Sequence, residues 1–256
     1  MRSTENQDEV LVGHRTQGAA ILEIDSLARR FGGLAALNEV TFEVKEGEVL
    51  GIIGPNGAGK TTLVNVTTGI YLPTSGRILF EGRDITEMPA HLRCRLGIAR
   101  TFQLVRPVQG LSLLQNVMVG SLFGRGATLR QARARALEIC QFLGLSRLDR
   151  DVAKLTVLEI KKMEIARALS TQPRILLLDE VMAGLNSDET REMIDLVRQI
   201  RATGVAVCII EHVMSVIREL TERVIVLDRG EKIAQGPYEE VSRDPRVISA
   251  YLGEEE

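Results

Sequence analysis

The sequence predicts an α/β domain built on a largely parallel sheet, and three observations support this. Four short aliphatic runs, VLGII (49–53), ILLL (175–178), VAVCII (205–210) and VIVL (224–227), have no polar face and read as strands buried on both sides. Helical patterns separate them, as parallel crossovers require. A glycine-rich turn follows the first run directly, and two carboxylates follow the second.

Taken in order, residues 1–18 are polar and aperiodic and are read as a flexible extension, with 19–256 as one domain. ILEIDSL, VTFEV and RILF (77–80) alternate like half-buried antiparallel strands. The interval from about 86 to 170 is mostly helical. Within TLRQARARALEICQFLGL, the residues Leu129, Ala136, Leu137, Cys140 and Leu143 share one face, and Gly144 suits the helix end. Arg130, Arg133 and Arg135 read as a solvated face, with anionic lipid headgroups as the alternative partner. The acidic end, Glu254 to Glu256, is expected to fray.

The 256 residues carry a formal net charge of −2, which gives no nucleic-acid footprint. The three cysteines, Cys94, Cys140 and Cys208, lack metal-ligand spacing and read as reduced thiols. No apolar run approaches the ~20 residues that cross a bilayer, and the N-terminal residues lack the apolar core of a secretory signal.

GIIGPNGAGKTTL (51–63) matches G-x-x-x-x-G-K-[ST] from Gly54 to Thr61. Phosphate needs several close donors, and backbone N–H groups reach it only where side chains are absent, as at Gly54, Gly57 and Gly59. The following helix adds free N–H groups and the positive end of its dipole. Lys60 would reach the β- and γ-phosphates, and the Thr61 hydroxyl would ligate Mg²⁺.

RILLLDE (174–180) ends a buried run in two carboxylates. Asp179 is placed to hold Mg²⁺ through water, and Glu180 to orient and polarise an attacking water. His212, which follows a buried strand in CIIEHV, reads either as structural or as a γ-phosphate contact. Alone, Gln103 in IARTFQLVRP is a loop glutamine, and Phe31 in RRFGGLAAL is either a core ring or an adenine platform.

Together and in this order, these stretches resemble the nucleotide-binding subunit of an ATP-binding-cassette (ABC) transporter, from about residue 21 to 253. The resemblance implies a P-loop NTPase of the ABC cassette type, with an antiparallel β subdomain and a helical subdomain. It makes GPNGAGKTT the ATP site, comprising Gly54, Pro55, Asn56, Gly57, Ala58, Gly59, Lys60, Thr61 and Thr62. Phe31 takes the adenine-stacking position, and Gln103 becomes the glutamine that contacts Mg²⁺ and senses a membrane subunit. Asp179 takes the Mg²⁺ position, Glu180 is catalytic, His212 is the switch histidine, and AGLN (183–186) contacts a second cassette. The spacers FGGLAALNEVTFEV, PTSGRILFEGRDIT and VISAYLGEE resemble the branched-chain amino-acid importer group. Its relatives include carriers of urea, short amides or aromatic acids, and lipopolysaccharide-export ATPases are near neighbours.

One segment departs from the pattern. Where the family usually has LSGGQ, this chain reads LTVLE (155–159). Thr156 keeps a hydroxyl, Val157 and Leu158 replace both glycines, and Glu159 replaces glutamine. Thr156 and Glu159 still form a capping-box pattern, so a helix is expected to begin here with free N–H groups. The bulk at 157 and 158 and the charge at 159 oppose phosphate approach, with Lys161 and Lys162 expected to soften that charge. The segment reads as a plain helix start, a weakened phosphate contact or an inactive half-site.

The function implied is an ATPase subunit of a multisubunit importer. It would work with a second cassette, membrane-spanning permease subunits and a solute-binding protein, on the inner face of the cell membrane. An ATP-gated binding module with little turnover is the alternative that LTVLE raises.

Overall fold

The computed structural model describes residues 18–103 and 106–252, so most of the expected N-terminal extension and the acidic end lie outside the described residues. Strands β1 (Ala20–Phe31) and β2 (Leu34–Lys45) form a hairpin in which Phe31 pairs with Leu34. After β3 (Val49–Ile53) and α1 (Lys60–Thr67), β4 (Ser75–Phe80) adds antiparallel to β1 and β5 (Arg83–Asp84) lies beside β4. The order β2-β1-β4-β5 is the antiparallel sheet that the alternating segments predict.

The interval 86–170 contributes α2 (Ala90–Leu96), β6 (Ile98–Arg100), α3 (Leu113–Val119), α4 (Leu129–Phe142) and α5 (Val157–Leu169). β6 is too short for its pattern to be read from sequence, and it belongs to the main sheet. The chain continues with β7 (Ile175–Asp179), α6 (Ser187–Ala202), β8 (Ala206–Ile210), α7 (Met214–Leu220) and β9 (Arg223–Asp228). It closes with β10 (Glu231–Gly236), α8 (Tyr238–Val241) and α9 (Pro245–Leu252). The main sheet has the order β10-β9-β3-β8-β7-β6, parallel except for the β9–β10 pair.

The unbroken aliphatic runs follow from this sheet having a core on each face. Successive residues of a strand point to opposite faces. Leu176 and Leu178 of β7 therefore join the core built with α5, α6 and α7, while Ile175 and Leu177 join the core shared with α1 and the antiparallel sheet. β3 divides the same way, with Val49 and Ile53 on one side and Leu50 and Ile52 on the other. Truncating a side chain such as Leu178, fully buried here, costs about 2–5 kcal/mol in comparable cores.

α4 ends as its glycine predicts. Gly144 has φ 65°, the Leu145 N–H donates to the Cys140 carbonyl at 2.8 Å, and the Gly144 N–H to Gln141 at 3.1 Å, the paired bonds that close a helix in a left-handed residue. Its buried face differs in part from the expected one. Ala132, Ala136, Ile139, Cys140 and Leu143 are buried and Leu137 is half-buried, but Leu129, the first residue of the helix, is 70% exposed. Arg135 meets Glu138 at 3.4 Å on the exposed side.

The parallel topology also positions the site. Asp179 pairs with Ile210, and Ile52 pairs with Ile210, so β3, β7 and β8 end at one level. The turns that follow those strands therefore share one edge of the sheet, where ligands of open α/β sheets bind.

Candidate nucleotide site

The turn from Gly54 to Gly59 joins β3 to α1, and at the glycines at its two ends backbone leaves no room for a Cβ. A Cβ on Gly54 would lie 2.1 Å from the Leu227 carbonyl oxygen, and one on Gly59 2.5 Å from that of Ala36; their φ angles are 149° and 102°. Gly59 precedes α1 without a side-chain cap, and the first turn holds no acidic residue, so the N–H groups there are free of carboxylate competition. The Lys60 ammonium is buried and donates to the carbonyls of Gly54 (2.6 Å) and Pro55 (2.9 Å). Its burial holds the lysine below its ordinary range, against the opposing pull of Glu180 and Asp179. It is a cation folded over its own loop, with only backbone oxygens as partners.

This loop floors a cleft of about 570 Å³ lined by Asn56, Gly57, Ala58, Gly59, Lys60, Thr61 and Thr62, with Phe31, Gln103, Glu180 and His212 around it. Gly54 and Pro55 lie beneath it as the acceptors for Lys60. Phe31 closes β1 and is 39% exposed, which rules out the core-ring reading. Its ring meets Tyr71 edge-on at 5.3 Å, and the Arg29 guanidinium lies 4.5 Å from its centroid.

The carboxylate of Glu180 is held at both oxygens. Gln103 Nε2 donates to Oε2 at 2.6 Å, and His212 Nε2 lies 2.7 Å from Oε1. Glu180 itself has φ 51°, a conformation rare for residues with side chains. Its N–H donates to Ile210 at 2.9 Å, and its carbonyl accepts from Lys161 Nζ at 3.1 Å.

Asp179 is buried at the end of β7, with its N–H on Thr101 Oγ1 at 3.0 Å. Burial pushes its carboxyl up, with Arg100 pulling down and Glu180 adding to the rise. Arg100 Nη2 reaches Oδ2 at 3.2 Å, while Oδ1 is buried with no hydrogen-bond partner. Arg100 is a residue that sequence reasoning missed. It also donates to Asn65 Oδ1 at 2.5 Å and lies 4.5 Å from the Phe102 ring centroid. Only its place three residues before Gln103 hinted at a role.

A glycine loop with a buried lysine, beside a clamped carboxylate and a buried aspartate, is an arrangement that phosphate groups and their counter-charges can use. The profile described as ABC transporter matches residues 37–183. The chain belongs to the ABC transporter family. A second profile, Branched-chain amino acid ATP-binding cassette transporter, matches residues 231–256. The high-affinity branched-chain amino acid transport ATP-binding protein LivG of Salmonella typhimurium is 37% identical, over 91% of this chain and 98% of its own length. BraF of Pseudomonas aeruginosa, named for the same transport, is 38% identical over the same shares. Among solved structures, a nucleotide-free ATP-binding cassette from an ABC transporter superposes with a TM-score of 0.85 at 32% identity, covering 92% of this chain and all of that one. A cassette in its ADP conformation gives 0.83 at 33% identity, with the same coverage.

In this ABC cassette, Thr156 and Glu159 do not line the cleft. They form the N-terminus of α5, where both capping-box hydrogen bonds are present. The Glu159 N–H donates to Thr156 Oγ1 (3.2 Å), and the Thr156 N–H donates to Glu159 Oε2 (2.8 Å). The other carboxylate oxygen is paired with Arg150. Burial alone would raise the Glu159 carboxyl, but the Thr156 and Arg150 hydrogen bonds outweigh it and hold the group below its usual range. The two lysines expected to soften this charge face elsewhere. Lys161 turns to the Glu180 carbonyl, and Lys162 to the Leu143 carbonyl (3.1 Å) and Glu192. Lys161, two positions on, lies on a different face of the helix from Glu159, whereas Lys162, three positions on, lies on the same side but has its ammonium taken up by Leu143 and Glu192. Val157 is 51% exposed and lies next to Gly184 of the AGLN turn, whose Asn186 caps α6.

Proposed function

We propose that this cassette hydrolyses ATP to drive an importer of branched-chain amino acids or a related small polar solute. The observation that carries the reading is the Glu180 carboxylate held by Gln103 and His212 within the cleft over Lys60. Hydrolysis needs a polarising carboxylate next to a γ-phosphate, and the glycine loop with Lys60 accounts for the phosphates. Gly54 through Thr62 hold the phosphates of ATP, and Phe31 offers its ring to the adenine. Glu180 orients the attacking water, with Gln103 and His212 fixing its carboxylate.

The residues also fit a divalent cation. The unpartnered buried Asp179 Oδ1 is an acceptor without a donor, and Thr61 and Gln103 line the cleft. Thr61, Gln103 and Asp179 would hold Mg²⁺, which when bound neutralises charge on the β- and γ-phosphates.

Thr156 and Glu159 belong to a surface that meets the nucleotide of a second cassette, in a homodimer or heterodimer. Permease subunits and a solute-binding protein complete the assembly. Among the described residues no helix is long and apolar enough to cross a membrane; the permease partners would hold the cassette on the inner face of the cell membrane. The solute class rests on the names of LivG and BraF and on the match at 231–256. The test is Mg²⁺-dependent phosphate release with the E180Q variant as control, then uptake of labelled leucine in vesicles carrying the full transporter. Turnover insensitive to E180Q would sink the catalytic assignment. Uptake without competition by branched-chain amino acids would sink the solute.

The altered LTVLE favours a second reading, a cassette that binds ATP but turns over only with a partner's competent segment. The same assay on the chain alone and with a partner cassette separates the two.

A further inference from the structure

The structure assigns Lys161 as a positioning residue for the Glu180 carboxylate, on the reading that Glu180 is the hydrolytic group. Glu180 adopts a left-handed backbone (φ 51°), which its neighbours must hold in place. Its N–H is secured by Ile210 at 2.9 Å. Its carbonyl accepts a long bond from the Ala183 N–H (3.3 Å) and a shorter one from Lys161 Nζ (3.1 Å). The charged donor is the stronger of the two.

Lys161 is 8% exposed and projects from α5 into the core. Glu211, Glu164 and Glu180 all act on its charge, and burial holds it below the ordinary lysine range. Glu211 accepts the Met182 N–H at 2.8 Å, so α5 and the end of β8 grip the same turn, 180–183, from two sides. The peptide plane that Lys161 holds sets the direction of the Glu180 side chain. That side chain ends where Gln103 and His212 meet it, 2.6 and 2.7 Å away. Without the ammonium, the carbonyl keeps only the long Ala183 bond, the backbone relaxes, and the carboxylate leaves His212.

Two readouts test this on the full chain. The first is the ring resonances of His212, which are readily assigned because the sequence holds three histidines. K161M moves them in the direction that E180A moves them, while K161R, which keeps reach and charge, leaves them near wild type. The second is steady-state ATP hydrolysis. K161M lowers kcat roughly 10- to 100-fold, as a small misplacement of a reacting group does, with KM for ATP and nucleotide affinity unchanged. K161Q serves as the second variant if K161M does not fold. His212 resonances superimposable on wild type, with kcat within about twofold, would overturn the assignment. A wild-type protein with no E180Q-sensitive turnover would instead refute the hydrolytic reading, and the resonances would still decide Lys161.

Discussion

His212 Nε2 stands 2.7 Å from Oε1 of Glu180, although 32 residues separate them. Gln103 holds the opposite oxygen at 2.6 Å. The carboxylate that would polarise water is therefore held at both oxygens by side chains from two other segments. H212A lowers kcat for ATP by about 10²-fold or more while ATP still binds, and E180Q lowers it further, in keeping with the loss of a general base. Phosphate release and nucleotide titration of the two variants check this, and equal loss of binding and turnover would contradict it.

Lys60 is a buried cation facing its own loop carbonyls. K60M should weaken nucleotide binding by roughly 10- to 100-fold, the loss of a charge-assisted contact. Burial of the ammonium opposes its charge, so the nucleotide-free melting temperature of K60M stays level or rises. A melting temperature that drops well below wild type would show that Lys60 stabilises the loop instead.

Arg150 and Glu159 form an ion pair in which each side chain is 24% exposed. R150M leaves a carboxylate at the start of α5 without its cation, and E159Q removes the charge itself. The pair predicts a coupling energy of about 0.5–3 kcal/mol between R150M and E159Q in urea unfolding. R150M alone is the more destabilised, and the double variant recovers part of the loss. Additive losses would show that the two side chains act independently.

Burial pushes the Glu211 carboxyl up to about 7 from 4.5, against the Met182 N–H and Lys161, with Glu180 adding to the rise. The folded chain thus binds more protons here than the unfolded chain between those values, so this group's contribution falls as pH rises. It is fully present below pH 4.5 and lost as pH passes 7, on the order of 3 kcal/mol. E211Q, which still accepts the Met182 N–H, flattens that slope. Unfolding free energies of both proteins at pH 5, 6, 7 and 8 measure it, and parallel profiles would refute the assignment.

Much of the fold is legible in short windows of sequence. VLGII, ILLL and VIVL declare strands because a sheet with a core on each face accepts no polar residue. GPNGAGKTT declares its turn because no Cβ fits at Gly54 or Gly59, and Thr156 with Glu159 declares a helix start through a contact three residues long. β6 is three residues long and β10 has no fully buried residue, so neither has a readable pattern.

Sequence alone determined most of the elements, the phosphate loop and the carboxylates Asp179 and Glu180, because each sits in a local pattern, while Gln103 and His212 became candidates through the resemblance of the chain as a whole. Only the tertiary structure decided which charges meet. Arg100 finds Asp179 across 79 residues, Arg150 rather than either lysine answers Glu159, and Lys161 turns to Glu180 19 residues away. Strand order and helix packing choose those partners, and neither is written in the periodicity of any one segment.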